Sequence, residues 1–243
     1  VGNKELDMAH WQRWMAAGVV AGAMTGASGL AAAAIGVPGT SNPKLAGMPD
    51  GTTASLGDTA PAQSPVLVTG LALQAGQWLQ FSATGFVGHC DNGGCPAPTP
   101  DGALGERWTN EAENGISGIS QAPLDALVGV FLGPDLPSAT AAPDKLDFSD
   151  AGLGLNFSTL APALKQVFFI GDGLATGDVV QQFQVPIGAT RLYLATHDGF
   201  GWFNNSGAIS ARVSAVPEPA AWALLLAGAC ALAVRSGRRS AAA

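Results

Sequence analysis

Charge is scarce in this 243-residue chain: 12% of residues are Asp, Glu, Lys or Arg, and only 11 of them are basic. Of those eleven, Lys4, Arg13, Arg235, Arg238 and Arg239 lie in the terminal segments, together with Glu5, Asp7 and Glu218. Setting the ends aside leaves 6 basic and 15 acidic residues in the middle. Such a surface repels phosphate backbones and excludes a nucleic-acid partner. Histidine is rarer still, with three in all, and His10 falls in the N-terminal apolar segment, leaving His89 and His197. There is no G-x-S-x-G elbow, no P-loop and no H-E-x-x-H helix, so no residue is assigned a catalytic role and an enzyme is not expected. Glycosidase chemistry would need two facing carboxylates, and nothing in the sequence singles out a pair. A sustained helical period is also missing between about Val37 and Ala215.

Cysteine is limited to three. Cys90 and Cys95 bracket a turn-rich stretch, Cys-Asp-Asn-Gly-Gly-Cys, while Cys230 stands alone in an apolar run. In an exported chain the close pair most simply forms a small disulfide loop. Zinc held by His89, Cys90 and Cys95 is the weaker reading, because structural zinc sites usually draw on a distant second pair.

The apolar character concentrates at the two ends. Residues 1–35 run from a short polar start with Lys4, His10 and Arg13 into an apolar stretch, with Ala31-Ala32-Ala33-Ala34 supplying small residues for cleavage. This is the order of a secretory signal peptide. Residues 216–243 carry Pro217-Glu218-Pro219, fifteen apolar residues from Ala220 to Val234, and the basic cluster Arg235, Arg238 and Arg239. An apolar run closed by arginines acts as a stop-transfer element, but it is shorter than the roughly 20 residues of a comfortable span. These parts resemble the PEP-CTERM sorting signal. The resemblance implies an exosortase-type processing protease, a transient C-terminal membrane anchor, export through the inner membrane, and residence at the cell surface, outer envelope or exopolysaccharide matrix.

Between the ends, residues 36–65 are rich in Gly, Pro, Ser and Thr and read as a linker or irregular edge segment. Residues 66–215 hold short runs of strand character: Val66–Leu73, Gln77–Thr84, Ala126–Leu132, Gln166–Ile170, Val179–Val185, Arg191–Thr196 and Ala208–Ser214. In the last, Ile209, Ala211 and Val213 alternate with Ser210, Arg212 and Ser214, the pattern of a half-buried strand. The expected fold is all-β, an antiparallel sandwich or jelly roll, with a helix at each end from the signal and sorting segments. Gly/Pro-rich insertions at 88–123 and 133–165 would lie at the ends of the sandwich, where binding loops sit.

The stretch Arg191-Leu-Tyr-Leu-Ala-Thr-His-Asp198-Gly-Phe-Gly-Trp-Phe-Asn204-Asn205-Ser-Gly207 carries the candidate chemistry. Asp198, Asn204 and Asn205 offer hard oxygen donors, which suit calcium. From spacing alone, a loop closed by Asp and Asn side-chain turns is served equally well. The pattern of Asp, loop and Asn-Asn-Ser-Gly before the last strand resembles the calcium-dependent galactose-binding lectins of bacteria (PA-I type). Gly85-Phe86-Val87-Gly88-His89 resembles that family's first loop, and Ala126–Gly133 and Phe168–Gly171 resemble its central strands. On this resemblance Asp198, Asn204 and Asn205 are side-chain ligands of calcium, and His89 and either Gly201 or Trp202 give backbone carbonyls. Asp198, Asn204 and Phe200 would then meet the sugar, with Phe200, Trp202 and Phe203 as an apolar platform. The family's His and Gln sugar contacts have no counterpart near Gly115–Asp125. The expected function is therefore calcium-dependent carbohydrate binding at the envelope or in exopolysaccharide. The alternative is a structural matrix protein that keeps the lectin-like fold and binds no sugar.

Overall fold

Alternation along two long strands sets the frame. From Trp78 to Gly88, Leu79, Phe81, Ala83 and Val87 are buried while Ser82, Thr84 and Phe86 are exposed. From Ser206 to Ala215, Ile209, Ala211 and Val213 are buried, as the alternation predicts. The two strands pair antiparallel with Ala211 opposite Ala83 and Val213 opposite Phe81, so buried residues face buried residues along the ladder. Slipping this register by one residue would turn both apolar rows to solvent.

The structure is a computed structural model that describes residues 33–90, 95, 98–217 and 228. In chain order its strands are β1 (Ile35–Pro38), β2 (Thr53–Ala54), β3 (Asp58–Thr59), β4 (Val66–Leu67), β5 (Trp78–Gly88), β6 (Ala103–Asn110), β7 (Ile119–Leu124) and β8 (Leu127–Leu132). There follow β9 (Leu146–Asp147), β10 (Thr159–Leu160), β11 (Val167–Phe169), β12 (Leu174–Ala175), β13 (Val179–Val180), β14 (Gln182–Gln184), β15 (Arg191–Thr196) and β16 (Ser206–Ala215). The described chain is all-β with almost no helix. One sheet has the order β1-β16-β5-β14-β10, another the order β11-β8-β15-β4, and β6-β7-β9 form a third. Pairing is antiparallel except for two short contacts, β10 with β14 and β7 with β9, which are parallel and correct the purely antiparallel expectation.

The first two sheets share one core. Phe168 on β11 lies 5.5 Å from Phe183 on β14, which meets Phe81 on β5 edge-on at 5.1 Å. Phe131 on β8 stacks on Phe168 at 5.3 Å. Each such ring contributes roughly 1.5–3 kcal/mol by leaving water. All six residues of β8 are buried, so this strand is covered on both faces.

Residues 36–65, expected as a linker or an irregular edge segment, supply part of that cover, with β1 at the edge of its sheet. β1 pairs with β16 from Ile35 to Pro38, so Ile35, expected inside the leader, begins a strand instead. The turn Pro43–Leu45 is buried and packs on β8 and β15. Its polar atoms are matched: Asn42 Oδ1 caps the Lys44 N–H at 2.9 Å, and Lys44 Nζ donates to the Glu111 carbonyl at 2.8 Å and to the Ser117 carbonyl. Composition rich in Gly, Pro, Ser and Thr cannot distinguish a loose linker from a chain ordered by such long-range bonds.

The insertion at 88–123 also holds more order than its composition suggested, because β6 and β7 pair within it across two irregular registers. Among the expected runs, Val66–Leu73 shortens to β4, and Val179–Val185 breaks into β13 and β14 around the buried Gln181. The signal segment up to residue 32, Glu218, Pro219 and the arginines at 235, 238 and 239 lie outside the described residues. Among the described residues no helix is long and apolar enough to cross a membrane.

Candidate functional site

The loop after β15 is built by long-range contacts. His197 is buried just past the strand, and Gly199 follows at a point where a Cβ would lie 2.7 Å from the Trp108 indole nitrogen. Gly201 takes φ +36°, a conformation glycine adopts without steric cost. The chain then makes a 3₁₀ turn over Trp202–Asn204. The Trp202 side chain is fully buried, and its indole N–H donates to the Thr196 carbonyl at 2.8 Å. Asp58, from the segment expected as a linker, accepts the backbone N–H groups of Trp202 at 2.9 Å and Phe203 at 3.0 Å. Its carboxylate also takes the Asn42 amide at 2.9 Å. Asp58 therefore clamps the turn, and sequence reading missed it because Trp202 and Phe203 lie more than 140 positions away.

Asp198 Oδ1 accepts the N–H groups of Gly199 and Phe200, and Asn110 Nδ2 donates to the Asp198 carbonyl at 3.0 Å. Asn205 donates its backbone N–H to the Trp202 carbonyl at 3.0 Å and its Nδ2 to the Gly39 carbonyl at 3.1 Å. These bonds hold the side chains in place and leave a set of oxygens over. Among the described residues, the buried side-chain atoms without a hydrogen-bond partner are Asp125 Oδ1, Gln181 Oε1, His197 Nε2, Asp198 Oδ2, Asn204 Oδ1 and Asn205 Oδ1. All but Gln181 belong to this loop or to the strand start beside it. A buried polar atom left unpaired costs about 1–3 kcal/mol, so four oxygens orphaned in one region call for a ligand.

Asn205 fixes the character of that ligand. Its side chain is close enough to Asp198 to favour the ionised carboxylate. Geometrically, though, neither Asp198 Oδ2 nor Asn205 Oδ1 has a donor. One N–H of the Asn205 amide is held by the Gly39 carbonyl at 3.1 Å, which sets the orientation of the amide. Flipping the amide would set its oxygen against the Gly39 carbonyl oxygen. Buried acceptor oxygens without a donor suit a cation. Burial, set against the N–H groups of Phe200 and Gly199, raises the Asp198 pKa.

The neighbouring strands bring further groups. The β5–β16 ladder ends with Gly88 opposite Ser206, and one more step sets His89 opposite Asn205. The β8–β15 ladder runs to Leu127 opposite Thr196, and just beyond it Asp125 and Ala126 both stand against His197. Asp125 N–H donates to the His197 carbonyl at 2.7 Å, and His197 N–H to the Ala126 carbonyl at 2.8 Å, the two-against-one pattern of a β-bulge with Asp125 at φ +68°. His89 Nδ1 meets Asp125 Oδ2 at 2.7 Å, and its Nε2 lies 3.4 Å from Glu106 Oε2. Burial opposes charging of His89, but the Asp125 carboxylate overcomes this and holds its pKa above the usual value. Burial pushes the Asp125 carboxyl up to about 6 against the pull of His89, and the negative charge of Asp198 adds to the rise. His197 is the opposite case, pushed down to about 4 by complete burial.

Of the expected carbonyl donors, His89 sits at the right strand end, and the Trp202 carbonyl already accepts the Asn205 N–H on one side. Cys90 and Cys95 are joined in a disulfide. Their sulfurs and a His89 nitrogen lie within 4.8 Å of one another, but bonded sulfurs are not the thiolates that zinc requires. Of the expected aromatic platform, Phe200 and Phe203 are exposed, while Trp202 is core. Trp108 on β6, which sequence reading did not single out, packs edge-on to Phe200 at 5.3 Å and is itself part exposed. A separate cleft of about 450 Å³ lined by Asp101, Arg107, Asn156, Asp172 and Asp178 contains none of the expected site residues.

The atoms left over are thus carboxylate and amide oxygens, with nearby backbone carbonyls, together with one imidazole nitrogen, His197 Nε2. The oxygens, which outnumber the single nitrogen, are the hard donors that calcium takes. No protein-family model matches the chain, and no curated protein sequence matches it.

Proposed function

We propose that this chain is an exported, calcium-dependent carbohydrate-binding protein, with an ectodomain of jelly-roll type held at the cell envelope or in the exopolysaccharide matrix. One observation carries the reading: Asp198, Asn204 and Asn205, picked out by donor chemistry and pattern, each have a buried side-chain oxygen without a hydrogen-bond partner. Calcium would be held by these three oxygens, with the carbonyls of His89 and Trp202 completing its protein ligands. The ion would supply an electrophilic centre to which two adjacent sugar hydroxyls add. Trp108 and Phe200 would pack against the apolar face of the sugar ring. Export rests on the leader-like segment and on the PEP-CTERM-like tail, including Pro217, Glu218, Pro219 and the arginine cluster. A processing protease of the exosortase type is the implied partner of that tail.

Calorimetric titration of the chain with calcium tests the site. Wild type is expected to give saturable heat that Asp198→Ala abolishes, and equal heats from both proteins, or none from either, would end the reading.

A second reading, a matrix protein that binds calcium for stability and no sugar, has one observation in its favour. Much of the segment before β8, where sugar-contacting side chains were sought, is used in pairing with β6. Its only amide side chain, Gln121, donates to Thr109 Oγ1 at 3.3 Å. A glycan array probed with calcium separates the two readings: sugar capture supports the first, and silence from a calcium-stabilised protein supports the second.

A further inference from the structure

We propose that Asp125 is a second carboxylate ligand of the divalent ion held by Asp198, Asn204 and Asn205, so that the ion is bound through two carboxylates from two adjacent strands. The proposal rests on the calcium reading and deepens it.

Asp125 is fully buried, and its two oxygens differ. Oδ2 is fixed by His89 Nδ1 at 2.7 Å, while Oδ1 has no partner. The bond to His89 anchors the carboxylate and prevents it from rotating away, so the orphaned oxygen is a fixed feature of the site. Its position is tied to the chain just before Asp198: the Asp125 N–H bonds the His197 carbonyl, where β8 and β15 have run out. The backbone at Asp125 has φ +68°, a region that non-glycine residues seldom occupy and in which Asp and Asn are enriched. The two carboxylates are near enough for the charge of Asp198 to act on Asp125.

Two buried carboxylates with unpartnered oxygens are unfavourable neighbours in the absence of a cation. The charged groups around Asp125 are Asp198, Glu106 and His89. His89, even as an imidazolium, compensates one carboxylate through Oδ2 and leaves Oδ1 of Asp125 and Oδ2 of Asp198 unmatched. A divalent ion between the strands pairs both and brings the protein ligands into the six-to-eight range that calcium takes. Ligand charge count is a principal control of calcium affinity, so this site would bind more tightly than one with a single carboxylate.

The test compares wild type, Asp125→Asn, Asp198→Asn and Glu106→Gln as full chains. Calcium affinity is read by calorimetry, and bound waters are counted from terbium luminescence lifetimes in H₂O and D₂O. Asp125→Asn is expected to weaken calcium by about 100-fold, as loss of one charged ligand does, and Asp125→Gly, which removes the side-chain oxygen altogether, to raise the bound-water count by about one. Glu106→Gln, which removes a charge whose side chain is 61% exposed, is expected to change affinity by less than about 3-fold. Asp125→Gly repeats the measurement with a residue that accepts the positive φ freely, should the Asn variant fail to fold. Calcium binding by Asp125→Asn equal to wild type overturns the proposal and leaves the calcium reading intact. Weaker binding by Asp125→Gly with an unchanged water count also overturns it, because Asp125 then acts through charge alone. If wild type binds neither calcium nor terbium, the underlying reading falls and takes this proposal with it.

Discussion

Two buried polar clusters lie on either side of the same loop and behave in opposite ways. Around Asn42, Lys44 and Asp58 the polar side chains are bonded: Asp58 takes three donors, Asn42 bonds through both ends, and Lys44 Nζ meets two carbonyls. Around Asp125, Asp198, Asn204 and Asn205, each residue keeps one oxygen unpartnered. Burial alone therefore does not mark a binding site. What marks it is burial without satisfaction, in a place where the surrounding bonds prevent the groups from relaxing.

Breaking the satisfied cluster should have the larger effect on stability. Asp58→Ala strips the acceptor from the Trp202 and Phe203 N–H groups and from the Asn42 amide, and is expected to cost about 3–5 kcal/mol. Urea unfolding measures this directly, and added calcium should not restore the loss because the loop that carries the ligands is no longer clamped.

Lys44 sharpens the contrast through pH. Burial pushes its ammonium down to about 7, offset in part by Glu113 and Glu111. The unfolded chain holds that proton up to the ordinary pKa near 10.5, so between pH 7 and 10.5 the unfolded state binds more protons. Stability should thus rise with pH across this window, by up to about 1.4 kcal/mol per unit. Urea midpoints at pH 7, 8 and 9 read the slope, and Lys44→Met should flatten it.

In the unsatisfied cluster, removing charge should leave the metal-free fold intact. Asp198→Asn is expected to unfold at the same temperature as wild type or higher without calcium. With calcium at a hundred times the wild-type Kd, wild type should gain about 2.7 kcal/mol, and the variant little of it. Thermal melts with and without calcium decide the matter, and a variant that keeps the gain would argue that the ion sits elsewhere. The smallest effect is expected at the rim. Trp108→Ala should leave calcium affinity unchanged and weaken sugar binding about five-fold, near 1 kcal/mol.

The two clusters also differ in how far they could be read from the chain. Asp198, Asn204 and Asn205 were accessible because donors, turn glycines and the following strand lie within a few consecutive positions. Asp58 was not, since an aspartate in a Gly- and Thr-rich stretch has no local feature that points to Trp202 and Phe203. Asp125 was equally silent: before an apolar strand it reads as a turn residue, and its role depends on pairing with a strand some seventy positions later. Trp202 stands between Phe200 and Phe203 as one of three aromatics suited to a sugar platform, yet the turn directs its ring into the protein. Cys90 and Cys95 needed only five residues of separation to be read as a pair, and they are joined.

Local order thus fixed the strands wherever apolar and polar residues alternate, as in β5 and β16, because a period of two allows only one face to be buried. It also fixed the chemical type of the loop donors, since Asp and Asn carry hard oxygens wherever they sit. The tertiary structure decided which of those oxygens are left without partners and which residues from remote strands stand beside them. Saturation of a buried group depends on what the rest of the chain brings within three ångströms, and no stretch of sequence contains that information by itself.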